Sequence, residues 1–234
     1  MALLVVGKCP INLNYTLSKE ATNSALSKAH ITTIITSEQF TKKLSQKGFN
    51  LSDISNKQTI MIEELNKDFT KPQKLASLLK AYLMPAWMIE MFYFEKVSID
   101  DIATILFSSG SEGSPKGIVL THKNILANIK QTSALLNFQN GDVILNSLPI
   151  FHSFGLTITT LLPLCDGVTM VSAPDPTDAL AIGKLAVRFQ ATIMFGTSTF
   201  FRLYTKSSKL HPLMFKSIRM AVAGAEKLKP EIKR

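Results

Sequence analysis

The feature that most constrains the fold is a rhythm in which short apolar, β-branched runs alternate with longer segments whose apolar residues recur at helical spacing. Residues 31–36, 59–62, 102–107, 143–145, 168–171, 192–195 and 218–223 read as strands. Ser18 is placed to cap a helix through about Ala29, Ser37 one through Leu44, Thr121 one through Leu136 and Thr177 one through Phe189. Each offers a side-chain oxygen to backbone N–H groups that a first helical turn leaves unpaired. The alternation specifies an α/β fold. Residues 103–107 and 220–223 are apolar at nearly every position, as in strands covered on both faces, so a mostly parallel sheet flanked by helices is expected.

With 234 residues, 46% of them hydrophobic, the chain can bury a substantial core. Its apolar runs at 81–94 and 154–165 are interrupted by Pro85 and Glu90 or bounded by Pro163 and Asp166. Both fall short of the ~20 residues a spanning helix needs. Residues 1–8 lack a leading basic region and are too short for a signal peptide, so a cytosolic chain is expected. Cys9 and Cys165 form no CxxC pair or Cys/His cluster, which points to two buried free thiols rather than a disulfide framework or zinc site. The net charge of +9 suits an acidic partner. The lysines are scattered, however, without the aromatic-interleaved basic stripe of a nucleic-acid module. Met84, Trp87, Met88, Met91 and Phe92 make an apolar helical stripe expected to be core. The most polar links, 50–56 and 66–73, set off an N-terminal third, with a possible sub-boundary near 66–97. Residues 1–6 end at Gly7 like the last turn of a helix, and 228–232 read as a helix beginning, so the chain reads as cut from something larger.

The chemistry is concentrated in the loop after the strand at 102–107: Ser108, Ser109, Gly110, Ser111, Glu112, Gly113, Ser114, Pro115, Lys116, Gly117. Its three glycines let backbone N–H groups approach an anion, its four serines add hydroxyl donors, and Lys116 supplies positive charge. The spacing is not GxxxxGK[ST], because Pro115 precedes Lys116 and Gly117 follows it, nor is it GxGxxG. A plain Ser/Gly turn is the alternative on composition alone.

The run 106–117 resembles the ATP-phosphate loop of the adenylate-forming superfamily, which includes acyl-CoA synthetases, luciferases and peptide-synthetase adenylation domains. In the same order, 148–155 (Leu-Pro-Ile-Phe-His-Ser-Phe-Gly) is similar to that family's LPxFHxxG segment and 223–228 (Ala-Gly-Ala-Glu-Lys-Leu) to its adenine-side loop. Residues 10–16 resemble its early strand and turn, so the likeness spans nearly the whole chain. The Ser111-Glu112-Gly113 triplet, 151–157, 195–200 and 224–228 look most like the subgroup joining acyl-acyl carrier protein synthetase to 2-acylglycerophosphoethanolamine acyltransferase. Glu112 stands where Thr is usual, and a carboxylate beside a triphosphate is unfavourable unless it points away or meets Mg²⁺ or a basic group.

The resemblance implies ATP and Mg²⁺ as cofactors and a fatty acid as substrate, with acyl carrier protein as acceptor or coenzyme A as the alternative. It implies no nucleic-acid partner. Ser108, Ser109, Gly110, Ser111, Glu112, Gly113 and Lys116 would surround the phosphates, and His152 would sit by the reacting carboxylate. Gly224, Ala225 and Glu226 would line the adenine side, and Gly196 and Thr197 the acyl channel. A histidine among aromatic residues is otherwise most simply a packed structural one, and no GxSxG elbow surrounds His152-Ser153. The family's Mg²⁺-binding Glu, ribose-binding Asp and small C-terminal domain with its catalytic Lys would lie beyond Arg234. The acyltransferase His-x4-Asp is not found, since His30, His122, His152 and His211 are followed at that distance by Ile35, Ala127, Thr157 and Lys216. The chain is thus read as a fragment of the large AMP-binding domain, inactive alone. Membrane association, at the cytoplasmic face of the inner membrane, would belong to other parts of the parent. A non-catalytic nucleotide-binding module is the reading from another class.

Overall fold

A computed structural model describes residues 1–46, 57–108 and 115–227. They form two compact units, Met1–His122 and Lys123–Arg234, each taken by itself below.

The first unit opens with helix α1 (Ala2–Val5), closed by Gly7 at φ +66°, whose N–H donates to the Leu4 carbonyl while Lys8 N–H reaches Leu3. The glycine ends the helix because its left-handed backbone costs no Cβ clash. Helix α2 (Lys19–Lys28) is capped by Ser18, whose side chain accepts from Ala21 N–H, as the sequence predicts. Strand β1 (Thr33–Thr36) leads through α3 (Glu38–Gln46), with Ser37 Oγ accepting from Phe40 N–H, to β2 (Gln58–Met61), which pairs parallel with β1. Helices α4 (Ile62–Asp68), α5 (Lys71–Leu83) and α6 (Ala86–Tyr93) follow and contain no buried residue, so the segment expected to hold a sub-boundary is mostly exposed helix. The Met/Trp stripe is therefore not core: Trp87 is 62% exposed, and Tyr82 on α5 86%. Helical periodicity identifies the apolar face, but nothing in this unit's described residues covers it.

Strand β3 (Ile102–Ser108) pairs antiparallel with β4 (Lys116–Thr121), a departure from the parallel expectation. A connection as short as this suits a hairpin and cannot house a parallel crossover. Ala103, Thr104, Leu106 and Phe107 are buried, and the Thr104 hydroxyl donates to the Pro10 carbonyl at 2.7 Å.

The second unit contains α7 (His122–Leu136), β5 (Val143–Asn146), a π-helical stretch (Phe154–Leu161), α8 (Leu162–Asp166), β6 (Thr169–Ser172), α9 (Ala179–Phe189), β7 (Ile193–Gly196), α10 (Ser198–Lys206), a 3-10 turn (Pro212–Phe215) and β8 (Met220–Ala223). Its strands make one parallel sheet in the order β6-β5-β7-β8. Leu145, Met194, Ile182, Ala186 and Tyr204 form the core between this sheet and its helices. Asp142 fastens the sheet's amino edge. Its carboxylate accepts from Gln139 N–H, from Thr192 Oγ1 at 2.7 Å, and from Arg219 through Nε at 2.9 Å and through Nη2. The Arg219 guanidinium holds that carboxyl well below the usual carboxylate range, against the opposing effect of burial. The cap of α9 is Asp178, accepting from Ala181 N–H, and not Thr177, which is engaged with Asp175 Oδ1 instead. Cys9 and Cys165 are free, as expected, but exposed rather than buried. Among the described residues no helix is long and apolar enough to cross a membrane.

Candidate nucleotide and acyl site

In the first unit the predicted phosphate loop is the β3–β4 connection. Ser108 and Lys116 stand opposite each other in the antiparallel register, so the ladder itself holds the two ends of the loop side by side. Ser109, Gly110, Ser111, Glu112, Gly113 and Ser114 lie outside the described residues, as does the helix expected to start near 228. The structure adds a contact that sequence reasoning missed: Lys28 at the end of α2 donates from Nζ to the Pro115 carbonyl at 2.9 Å. The two residues are 87 positions apart, and no local pattern announces such a pairing. Gly117 follows Lys116 in tight quarters, since a Cβ there would lie 3.2 Å from the Phe107 ring and 3.3 Å from Ile105.

In the second unit every other predicted residue falls at the carboxyl edge of the parallel sheet. His152 lies on the turn after β5, Gly196 ends β7 with Thr197 next, and Gly224, Ala225 and Glu226 leave β8. Open α/β sheets bind ligands at this edge, because all strand ends and the loops after them converge there.

Close backbone approach shapes the turn at 148–155. A Cβ on Gly155 would lie 2.0 Å from the Pro149 carbonyl oxygen, so only glycine fits. The same carbonyl accepts from His152 N–H at 3.2 Å, and the His152 carbonyl accepts from Leu156 N–H at 2.9 Å. Asn146 braces the turn from the strand end, accepting from Leu148 N–H at 3.2 Å. The Gly155 carbonyl accepts from both Thr159 and Thr160 hydroxyls, within a π-helical stretch of a kind often found at functional sites. His152 is exposed at its edge but packs on Phe151, ring centroids 4.6 Å apart. That partial desolvation pulls its pKa below the ordinary histidine value and favours the neutral imidazole.

Phe154 links the turn to the other loops. Its ring meets Phe195 edge-on at 6.0 Å, and a Cβ on Gly224 would lie 2.9 Å from it. Gly224 N–H donates to the Gly196 carbonyl at 3.1 Å. Gly196 is buried beneath Phe201, whose ring a Cβ there would meet at 2.9 Å. Thr197 caps α10 by accepting from Phe200 N–H. Glu226 turns its carboxylate to Thr199, accepting from its N–H through Oε1 and from its hydroxyl through Oε2 at 3.1 Å. Ser198 Oγ donates to the Lys227 carbonyl at 2.9 Å.

The Ser198 and Thr199 hydroxyls and the Gly224 and Thr199 amides at this edge are spent on neighbouring carbonyls and on the Glu226 carboxylate, and Lys116 in the first unit is of a type that suits a phosphate. No group of three His, Cys, Asp or Glu side chains that could hold a metal ion occurs among the described residues.

Comparison with known proteins agrees with this arrangement. The chain is 29% identical over 132 residues to a long-chain-fatty-acid–CoA ligase of Salmonella typhimurium, a match covering 55% of this chain and 24% of that enzyme. It is 28% identical over 176 residues to the long-chain-fatty-acid–CoA ligase of Bacillus subtilis, covering 73% of this chain and 30% of that enzyme. The fold is shared with the O-succinylbenzoate coenzyme A synthetase of Bacillus subtilis in complex with AMP, with a TM-score of 0.73 at 20% identity over 98% of this chain and 41% of that one. The matched region thus spans well under half the length of these relatives. The family model of the AMP-binding enzymes matches residues 1–234, end to end, and the chain belongs to that family.

Proposed function

We propose that the intact protein is an ATP-dependent acid–thiol ligase that activates a fatty acid as its acyl-adenylate and passes the acyl group to the phosphopantetheine thiol of an acyl carrier protein. The observation that carries the reading is the convergence of His152, Gly196–Thr197 and Gly224–Glu226, from segments that resemble motifs of the family, on one edge of the second unit's sheet. In the first half-reaction a carboxylate oxygen bonds to the α-phosphorus of ATP and the bond to pyrophosphate breaks. In the second, the thiol sulfur attacks the acyl carbonyl and AMP leaves. Positioning and charge neutralisation do most of this work. Lys116 and the loop ahead of it hold the β- and γ-phosphates. His152, whose pKa partial burial pulls below the ordinary histidine value, presents a hydrogen bond beside the carboxylate. Gly224 and Ala225 wall the adenine side, and Gly196 and Thr197 border the acyl channel. Mg²⁺, when bound with the nucleotide, would supply neutralisation of phosphate charge.

Coenzyme A is the rival acceptor, favoured by the names of the matched relatives. Fatty-acid-dependent pyrophosphate exchange in the intact protein, followed by acceptor competition between acyl carrier protein and coenzyme A, tests both halves. Preference for coenzyme A overturns the carrier assignment. Absence of exchange overturns the ligase reading.

A further inference from the structure

We propose that Glu226 works as an internal latch and not as a ligand of the nucleotide, and that Thr199, to which the sequence assigns nothing, is the positioning residue it grips. The inference rests on the reading above only in treating 224–227 as a wall of the nucleotide pocket.

The loop after β8 makes an uncommon turn. Ala225 sits at φ +65°, a left-handed conformation that an alanine adopts at a cost and keeps only where its surroundings hold it. The other non-glycine residues with positive φ among those described, His30, Asn137 and Gln190, each lie at or just past the end of a helix, where such a geometry closes the last turn. Ala225 ends no helix. It is held from both sides: ahead of it by Gly224 N–H on the Gly196 carbonyl, and after it by Ser198 Oγ on the Lys227 carbonyl and by the Glu226 carboxylate on Thr199. All of these ties end on the 196–199 segment, where β7 hands over to α10.

The carboxylate has a physical reason to be there. A helix begins with unpaired N–H donors and a positive end to its dipole, and an acidic side chain in the first turn commonly answers both. Helix α10 has no acidic residue in its first turn. Thr197 satisfies Phe200 N–H, and Glu226, 27 positions downstream, satisfies Thr199 N–H and supplies the missing negative charge. With both oxygens turned to Thr199, the carboxylate is committed to the fold.

Hydrogen–deuterium exchange of the nucleotide-free chain tests the latch without any turnover. Glu226→Ala is expected to speed exchange at the first turn of α10 by about tenfold, the size of one lost charge-assisted hydrogen bond, with Glu226→Gln falling between. In the intact protein, Glu226→Ala and Thr199→Val are each expected to raise KM for ATP, and the double variant no further than the larger single, because both remove one coupled contact. Thr199→Ser, which keeps the hydroxyl, restores KM. Unchanged exchange in Glu226→Ala, or KM effects that multiply in the double variant, would overturn the latch and return Glu226 to the nucleotide. A parent enzyme without adenylation activity overturns the functional reading instead, and the exchange result still decides the latch.

Discussion

Replacing Gly155 by alanine probes whether the turn that carries His152 is built by close backbone packing. The new Cβ would start 2.0 Å from the Pro149 oxygen and 2.6 Å from its carbonyl carbon, with the Leu148 carbonyl carbon at 3.1 Å. All three are backbone atoms, so no rotamer change relieves the clash, and a separation of even 3 Å requires about 1 Å of main-chain movement. Pro149 resists, because its ring fixes φ. The movement also strains the Pro149 carbonyl's bond to His152 N–H and the His152 carbonyl's bond to Leu156 N–H. Overpacking of this kind costs about 3 kcal/mol, and the better helical propensity of alanine returns about 1 kcal/mol. The net loss of about 2 kcal/mol lowers Tm by roughly 4–8 °C in a chain of this size. Calorimetry on the chain and its Gly155→Ala variant measures this, with exchange at 149–156 as the local readout. A variant that melts within a degree of the parent, with protection at 149–156 unchanged, would refute the packing argument.

Asp142→Ala is expected to destabilise by about 2 kcal/mol, the cost of leaving the part-buried Thr192 hydroxyl and the Gln139 amide without their acceptor, read by urea unfolding at pH 7. Because the folded carboxyl is held below its ordinary value, chiefly by Arg219, its stabilisation is fully present above about pH 4 and is lost as pH falls from there towards the folded pKa. The gap between parent and variant should therefore narrow in acid, and a gap constant from pH 7 to pH 2.5 would contradict the pairing. The His152 imidazole, desolvated by its packing, should titrate by NMR below an ordinary histidine, so its cost to folding appears only as pH drops through the ordinary value near 6.5; titration at or above that value refutes the site geometry. Lys28→Met removes the hold on the Pro115 carbonyl at the end of the proposed phosphate loop and is expected to weaken ATP binding by calorimetry by about tenfold. Unchanged affinity would detach Lys28 from the site.

The strands were legible because their signal is local. The runs at 143–145 and 192–195 read as strands, and their centres, Ile144, Leu145, Ile193, Met194 and Phe195, are buried in the parallel sheet, whereas 220–223, apolar throughout and expected to be covered on both faces, forms the sheet's last strand with no residue fully buried. Ser18 was legible as a cap for the same reason, whereas Thr177 misled because Asp175 competes for its hydroxyl and leaves Asp178 to cap α9. The pairing of β3 with β4 turns on the length of a loop read for its chemistry alone, and the residues that make that loop chemical say nothing of strand direction. The stripe on α6 shows a second limit, since periodicity reports that a face is apolar and not whether the same unit supplies a cover.

The site divides along the same line. Glycines at 155, 196 and 224 could be picked out by motif, but their physical cause, a carbonyl or an aromatic ring where Cβ would be, exists only in three dimensions. Glu226 is the sharper case: read along the chain it belongs to the loop it sits in, and read in space its carboxylate completes a helix that begins 28 positions earlier, at Ser198. A residue type in a motif fixes what chemistry is available, and the partner across the fold decides whether that chemistry is spent on a ligand or on holding the pocket that receives it.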